Sequence, residues 1–269
     1  MRPTPAQRGV PPVPAGVSVI PVDRIDAVIF DTDGVITDTA RVHASAWKSV
    51  FDSYLRARAA RLGEPFLPFD VRADYLAYVD GRQRMDGVRA FLAARQVPLP
   101  SDGSDDVIHD LARRKDAMFL DQIRRYGVAA FPSTVALLLD LRHHRVRTAA
   151  VSASRNCAEV LRRAGVADMF DVRVDGVDAA RLGFPGKPDP GLFLEAARRL
   201  GVPPQRTAVV EDALAGVAAG RRGGFGLVIG VDRGGHAGAL RKSGADVVVA
   251  DLADLSLVRS EHESMVARL

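Results

Sequence analysis

An α/β fold, with a parallel-sheet core and a helical cap inserted after its first strand, follows from three observations in the 269-residue sequence. Short apolar runs alternate with amphipathic stretches over residues 22–38 and about 128–255. The intervening stretch, about 40–125, reads as helix throughout. Acidic pairs fall at the ends of two apolar runs, where ligands of open α/β sheets bind.

Residues 1–21 carry Pro3, Pro5, Pro11, Pro12, Pro14 and Pro21 without a continuous apolar stretch, which predicts a disordered leader and not a signal peptide. Residues 26–30 form an apolar, β-branched and aromatic run, the pattern of a buried parallel strand, and Gly34 lets the chain turn away after it. In the helical block Val42, Ala46, Trp47, Val50, Phe51 and Leu55 recur at helical spacing, with Trp47 as a core anchor. Val88, Phe91 and Leu92, then Ile108, Leu111, Met118 and Phe119, continue that pattern. Pro132 opens a helix carrying Val135, Leu138, Leu139 and Leu141. Strands are expected at 147–152, 171–174, 207–210, 225–229 and 246–249, with helices over 157–164 and 192–200. The polar stretch after Leu255 reads as a short terminal helix or tail. The expected division is a leader over 1–21, a core over 22–39 and 127–258, and a cap over 40–126.

Composition narrows the function. A 47% hydrophobic chain of this length builds a substantial core. Its single cysteine excludes an intramolecular disulfide and predicts a reducing, cytoplasmic setting. Cys157 itself reads as a small helix-face residue, since no histidine motif accompanies it. No apolar run approaches the roughly 18 residues of a membrane span. The net charge of +4 is spread over helical pairs such as Arg113-Arg114 and Arg198-Arg199, without a nucleic-acid module or interleaved aromatics. Neither a membrane nor a nucleic-acid partner is expected, and the chain is expected to act as a monomer.

Four stations carry chemistry. Asp31 and Asp33, one residue apart at a strand's carboxyl end, can hold a divalent cation while one of them attacks an electrophile, although a D-x-D-G string also occurs in ordinary turns. Ser152-Ala153-Ser154-Arg155-Asn156 leads from a strand into a helix; its hydroxyls and helix-start amides suit an anion or a simple cap. Lys187 lies in a loop before Pro188. Glu211-Asp212 closes another strand and, with the first pair, makes a hard oxygen site suited to Mg²⁺.

This ordered set resembles the haloacid dehalogenase superfamily, and within it the β-phosphoglucomutase group, over about residues 26–255. The resemblance implies a Rossmann-like core in which Asp31 is the nucleophile, forming an aspartyl phosphate, and Asp33 the general acid and base. It implies that Ser152, Ala153 and Lys187 hold the transferring phosphoryl group, and that Asp31, Asp33 through its backbone carbonyl, Glu211 and Asp212 hold Mg²⁺. His43, Trp47, Arg84, Lys115, Ser154, Arg155 and Asn156 would bind the sugar and its other phosphate, with Arg82 of the same loop as the alternative to Arg84 and with His43 and Lys115 linking cap closure to Asp33. An acid at position 33 favours an oxygen leaving group, since a departing halide needs no proton. Three departures from the group's pattern stand out: Thr32 between the aspartates, Asp189 ahead of Pro190 in place of an acid after it, and Asp116 where an asparagine is common. An acid at 116 would oppose phosphate binding if it faces the site. The implied activity is interconversion of β-glucose 1-phosphate and glucose 6-phosphate. A sugar phosphatase on the same site is the alternative, and a catalytically silent binding protein a third reading.

Overall fold

A computed structural model describes residues 18–98 and 105–259. In chain order it contains β1 (Ser18–Pro21), β2 (Ala27–Asp31), α1 (Ala40–Leu62), α2 (Arg84–Ala94), α3 (Asp106–Tyr126), α4 (Pro132–His143) and β3 (Arg147–Val151). Then come α5 (Cys157–Arg163), β4 (Val172–Val174), α6 (Gly176–Leu182), α7 (Gly191–Leu200), β5 (Thr207–Glu211) and α8 (Leu214–Arg222). The last elements are β6 (Leu227–Val231), α9 (Ala237–Ser243), β7 (Val247–Val249) and β8 (Leu255–Val258).

Six strands form one parallel sheet in the order β4-β3-β2-β5-β6-β7. The chain builds outward from β2 to β4, then returns to the other side of β2 and builds outward again to β7. The order therefore reverses between β2 and β5, and the carboxyl ends of those two strands face the crevice where such sheets take ligands. β2, β5 and β6 are buried along their whole length because each side of the sheet is covered. Val28, Phe30, Ala150, Val210 and Ile229 pack against Leu137, Leu138 and Leu141 of α4 and Leu161 of α5. Their neighbours Ala27, Ile29, Ala149, Val209 and Val228 pack against Phe193, Ala196 and Leu200 of α7, Val217 of α8 and Leu240 of α9.

Helices α1, α2 and α3 lie between β2 and α4 in the chain and pack around a separate apolar cluster. Phe51 is central to it: its ring centroid lies 4.9 Å from that of Trp47, 5.2 Å from Phe69 and 4.2 Å from Phe91. The helical block is not continuous. Gly63 ends α1 in the left-handed conformation, an irregular stretch follows, and a π-helical turn over Tyr75–Val79 precedes α2. Among the described residues no helix is long and apolar enough to cross a membrane.

The ends of the core depart from expectation. Residues 18–21, assigned to the leader by their prolines, form β1, and Leu255–Val258, assigned to a terminal helix or tail, form β8. The two pair in parallel, Ser18 opposite Leu255. Four-residue stretches carry too few periods to reveal a strand, and here the distant partner decides. The remainder of the expected leader, 1–17, and the chain from 260 lie outside the described residues. The sixth strand starts at Leu227, two residues later than expected, and the 175–185 stretch contains the unforeseen helix α6, opened by an Asp175 capping box.

Phe91→Ala is expected to lower the unfolding free energy by about 3–5 kcal/mol in urea denaturation, because the cluster it leaves has rings on three sides.

Candidate active site

Strand register assembles the acids. Phe30 of β2 lies opposite Val210 of β5, so the next residue on each strand, Asp31 and Glu211, emerge together at the carboxyl edge. Asp212 follows, and one carboxylate oxygen from each of Asp31, Glu211 and Asp212 lies within 4.8 Å of the others. Two glycines make room. A Cβ on Gly34, whose φ is +84°, would meet Asp212 Oδ2 at 1.8 Å, and one on Gly216 would meet Glu211 Oε1 at 1.7 Å.

Lys187 reaches this cluster from the loop before α7, its Nζ donating to Asp31 Oδ1 and Glu211 Oε1 and lying 5.0 Å over the Phe193 ring. Burial opposes its charge, but Asp31 and Glu211 hold the ammonium above the usual lysine range. Asp189, two positions ahead of where the group's acid would stand, still braces this loop: its Oδ1 accepts from Gly191 N at 2.8 Å. One ammonium faces three carboxylates, those of Asp31 and Glu211 buried and that of Asp212 partly so, which leaves two negative charges uncompensated. Burial, with Glu211 and Asp33 as like charges, accordingly pushes Asp31 upward despite Lys187. Burial, Asp80 and Glu211 do the same to Asp212. The donor set fits a hard divalent cation.

Asp33 belongs to a different group. Its expected metal contact is through the backbone carbonyl; its carboxylate stands apart from the three-acid cluster and turns toward α1. There it accepts from Thr39 Oγ1 and, at 3.2 Å, from His43 Nε2. Lys115 Nζ of α3 donates to His43 Nδ1, so a neutral imidazole satisfies both neighbours. The His43 ring stacks on Phe119 at 4.0 Å. Burial works against the Asp33 charge, yet His43, Thr39 and Lys115 hold its carboxyl well below the usual range. Burial and then Lys115 lower His43, and burial pulls Lys115 down to about 7.

Val151, opposite Asp31 in the sheet, delivers the Ser152–Asn156 turn beside the aspartates. Ser152 Oγ accepts from Ser154 N at 3.0 Å, and Ser154 Oγ from Asn156 N at 3.1 Å, so the turn is self-capped. Thr32 fits its strand end by donating to Val151 O at 2.9 Å. Cys157 is buried beside it, its thiol pushed up to about 12 by burial, and has no nucleophilic role.

Two cavities meet here. An inner one of about 50 Å³ touches Asp31, Asp33, Lys187 and Asp212. An outer one of about 380 Å³ is lined by Arg84, Asp116 and Arg155. Arg84 and Ala153 border both. Trp47 anchors the insert core and also borders the inner cavity. Arg84 Nη1 and Asn156 Nδ2 both lie 2.6 Å from Asp116 Oδ1, so Asp116 does face the site. Sequence reasoning overlooked Tyr75 and Asp80, which border the inner cavity from the insert. Burial and then Glu211 push the Asp80 carboxyl up to about 7, and Tyr75 bonds to it. The Asp80-Gly81 turn just ahead of Arg82 and Arg84 was the available signal.

Three clustered carboxylates around one lysine, beside a fourth acid bonded to the insert, make a site suited to group-transfer chemistry. The haloacid dehalogenase-like hydrolase family model matches residues 25–224, and the chain belongs to that family. It is 45% identical over 241 residues to a β-phosphoglucomutase of Mycobacterium bovis, covering 87% of this chain and 92% of that one. It is 27% identical over 228 residues to a phosphorylated carbohydrates phosphatase of Thermotoga maritima, covering 84% and 94%. The crystal structure of a β-phosphoglucomutase from Clostridium difficile aligns with a TM-score of 0.70 at 28% identity, covering 86% of this chain and 93% of that one.

Lys187→Met is expected to cost about 3–5 kcal/mol in metal-free protein, since it strands two buried carboxylates. Their folded-state affinity for protons then exceeds the unfolded one, so the deficit should be largest at neutral pH and shrink as pH falls toward about 4, in urea titrations across that range.

Proposed function

We propose that this enzyme is a Mg²⁺-dependent phosphomutase that interconverts β-glucose 1-phosphate and glucose 6-phosphate through an aspartyl phosphate on Asp31. The observation that carries this reading is the contact chain from Asp33 through His43 to Lys115, which ties the acid–base residue of the core to the insert. The similarity to the mycobacterial mutase supports it. Residues 40–126 act as the cap of a core made from 22–39 and 127–258. All the site residues come from one chain, which suits a monomer, and the single buried cysteine suits a cytoplasmic setting.

Asp31 presents Oδ1 to Lys187 and Oδ2 to the amide of Asp33, at 3.1 Å, which orients the carboxylate for in-line attack. Lys187 with Ser152 and the Ala153 amide would hold the equatorial oxygens as phosphorus passes to Asp31. Mg²⁺, held by Asp31, Glu211 and Asp212, would neutralise charge on the same group. Asp33, kept ionised by His43 and Thr39, is set to take the proton of the hydroxyl that attacks the phosphoenzyme. The inner cavity, far smaller than the roughly 300–1,000 Å³ of ordinary ligand sites, requires the cap to open for substrate and to exclude water when shut. The phosphatase reading draws on one observation, the acid Asp116 beside Arg84 where a second phosphate would sit.

Protein with Mg²⁺, β-glucose 1-phosphate and catalytic glucose 1,6-bisphosphate should yield glucose 6-phosphate without stoichiometric free phosphate; free phosphate as the main product would replace this reading with the phosphatase. Asp31→Asn should lower turnover by a factor on the order of 10⁴ with the circular dichroism spectrum unchanged. Mg²⁺ at about 100 times its Kd should stabilise the fold by about 2.7 kcal/mol. Asp212→Asn should remove most of that gain in the same thermal melts.

A further inference from the structure

The outer cavity already contains an anion of the protein's own. Asp116 of α3 directs Oδ1 at both Arg84 Nη1 and Asn156 Nδ2, each 2.6 Å away. Arg84 opens α2 in the insert, whereas Asn156 precedes α5 in the core, so one carboxylate oxygen bridges the two bodies. Arg155 and Arg113 border the same cavity, which gives it an excess of positive charge. A guanidinium and a primary amide converging on one oxygen form a phosphate-recognition arrangement, and the carboxylate occupies the position a phosphate oxygen would take.

We propose that Asp116 is a specificity-determining residue that acts as an internal competitor for the substrate's second phosphate. An incoming phosphate must displace the carboxylate from Arg84 and Asn156, and then sits beside its residual charge. The inference rests on the sugar-phosphate reading above for its substrate, but its physical content is a competition between two anions for one pair of donors. If the carboxylate holds the donors for about nine-tenths of the time, apparent phosphate affinity falls about tenfold, since only the remaining fraction is competent to bind. Monophosphates whose single phosphate lies at Lys187 escape this cost. Bisphosphates bear it, so the chain releases a bisphosphorylated sugar more readily than a relative with a neutral amide at this position.

The test is a titration of magnesium-free protein with inorganic phosphate, following the Asn156 side-chain amide by NMR so that the outer site is read separately from Lys187. Asp116→Asn should tighten phosphate at Asn156 by about tenfold, equivalent to ~1.4 kcal/mol. Asp116→Glu, which keeps the charge, should stay within about twofold of the unmutated protein. In that unmutated protein the same titration should move the Asp116 carboxylate resonance together with the Asn156 amide. Equal affinities for the unmutated and Asp116→Asn proteins overturn the proposal, as does a shift at Asn156 that leaves Asp116 in place. Tighter phosphate binding in a protein that forms no glucose 6-phosphate retains the competitor and discards the mutase.

Discussion

The site depends on an excess of buried negative charge. Asp31, Glu211 and Asp212 are forced together by the pairing of β2 with β5 and by the turn that follows β5, while Lys187 supplies one positive charge among them. Water is largely excluded, so the imbalance is not screened away. The protein can relieve it by binding protons or a cation. That pressure links the raised proton affinity of Asp31 and Asp212 to the fit for a divalent ion. It is served by glycine at positions 34 and 216, where any side chain would displace a carboxylate oxygen of the cluster.

A second circuit runs from the core into the helical insert. Asp33 starts only two residues after Asp31, yet its carboxylate lies in a different electrostatic environment, bonded to Thr39 and His43 and stabilised through Lys115. Two neighbouring carboxyls are thus pushed in opposite directions, one up by burial and like charge, the other down by a histidine and a lysine. Because His43 and Lys115 lie on α1 and α3, the contacts that favour the charged form of Asp33 come from the insert. Asp116, the residue after Lys115 on α3, adds a contact to Asn156 of the core. α3 therefore meets both ends of the cleft, through different chemistry at each.

Much of this was legible in the amino-acid sequence. Apolar runs alternating with amphipathic stretches marked the sheet and its covering helices, because a strand buried on both faces has no use for polar side chains. The acids at 31, 33, 211 and 212, the Ser152–Asn156 turn and Lys187 stood out because each follows or flanks an expected strand end. Local patterns could not show the pairing of β1 with β8, nor the roles of Tyr75 and Asp80, whose meaning comes from residues far away in the chain.

The sequence by itself determined which residue types stand at the carboxyl ends of the strands, since strand, turn and helix signals are local. Only the tertiary structure decided how those side chains divide: Asp33 to His43 and not to the acid cluster, and Arg84 to an acid of its own chain. The physical reason is that charge and hydrogen-bond partnerships depend on distance and on exclusion of water, and both are set when the insert closes over the sheet.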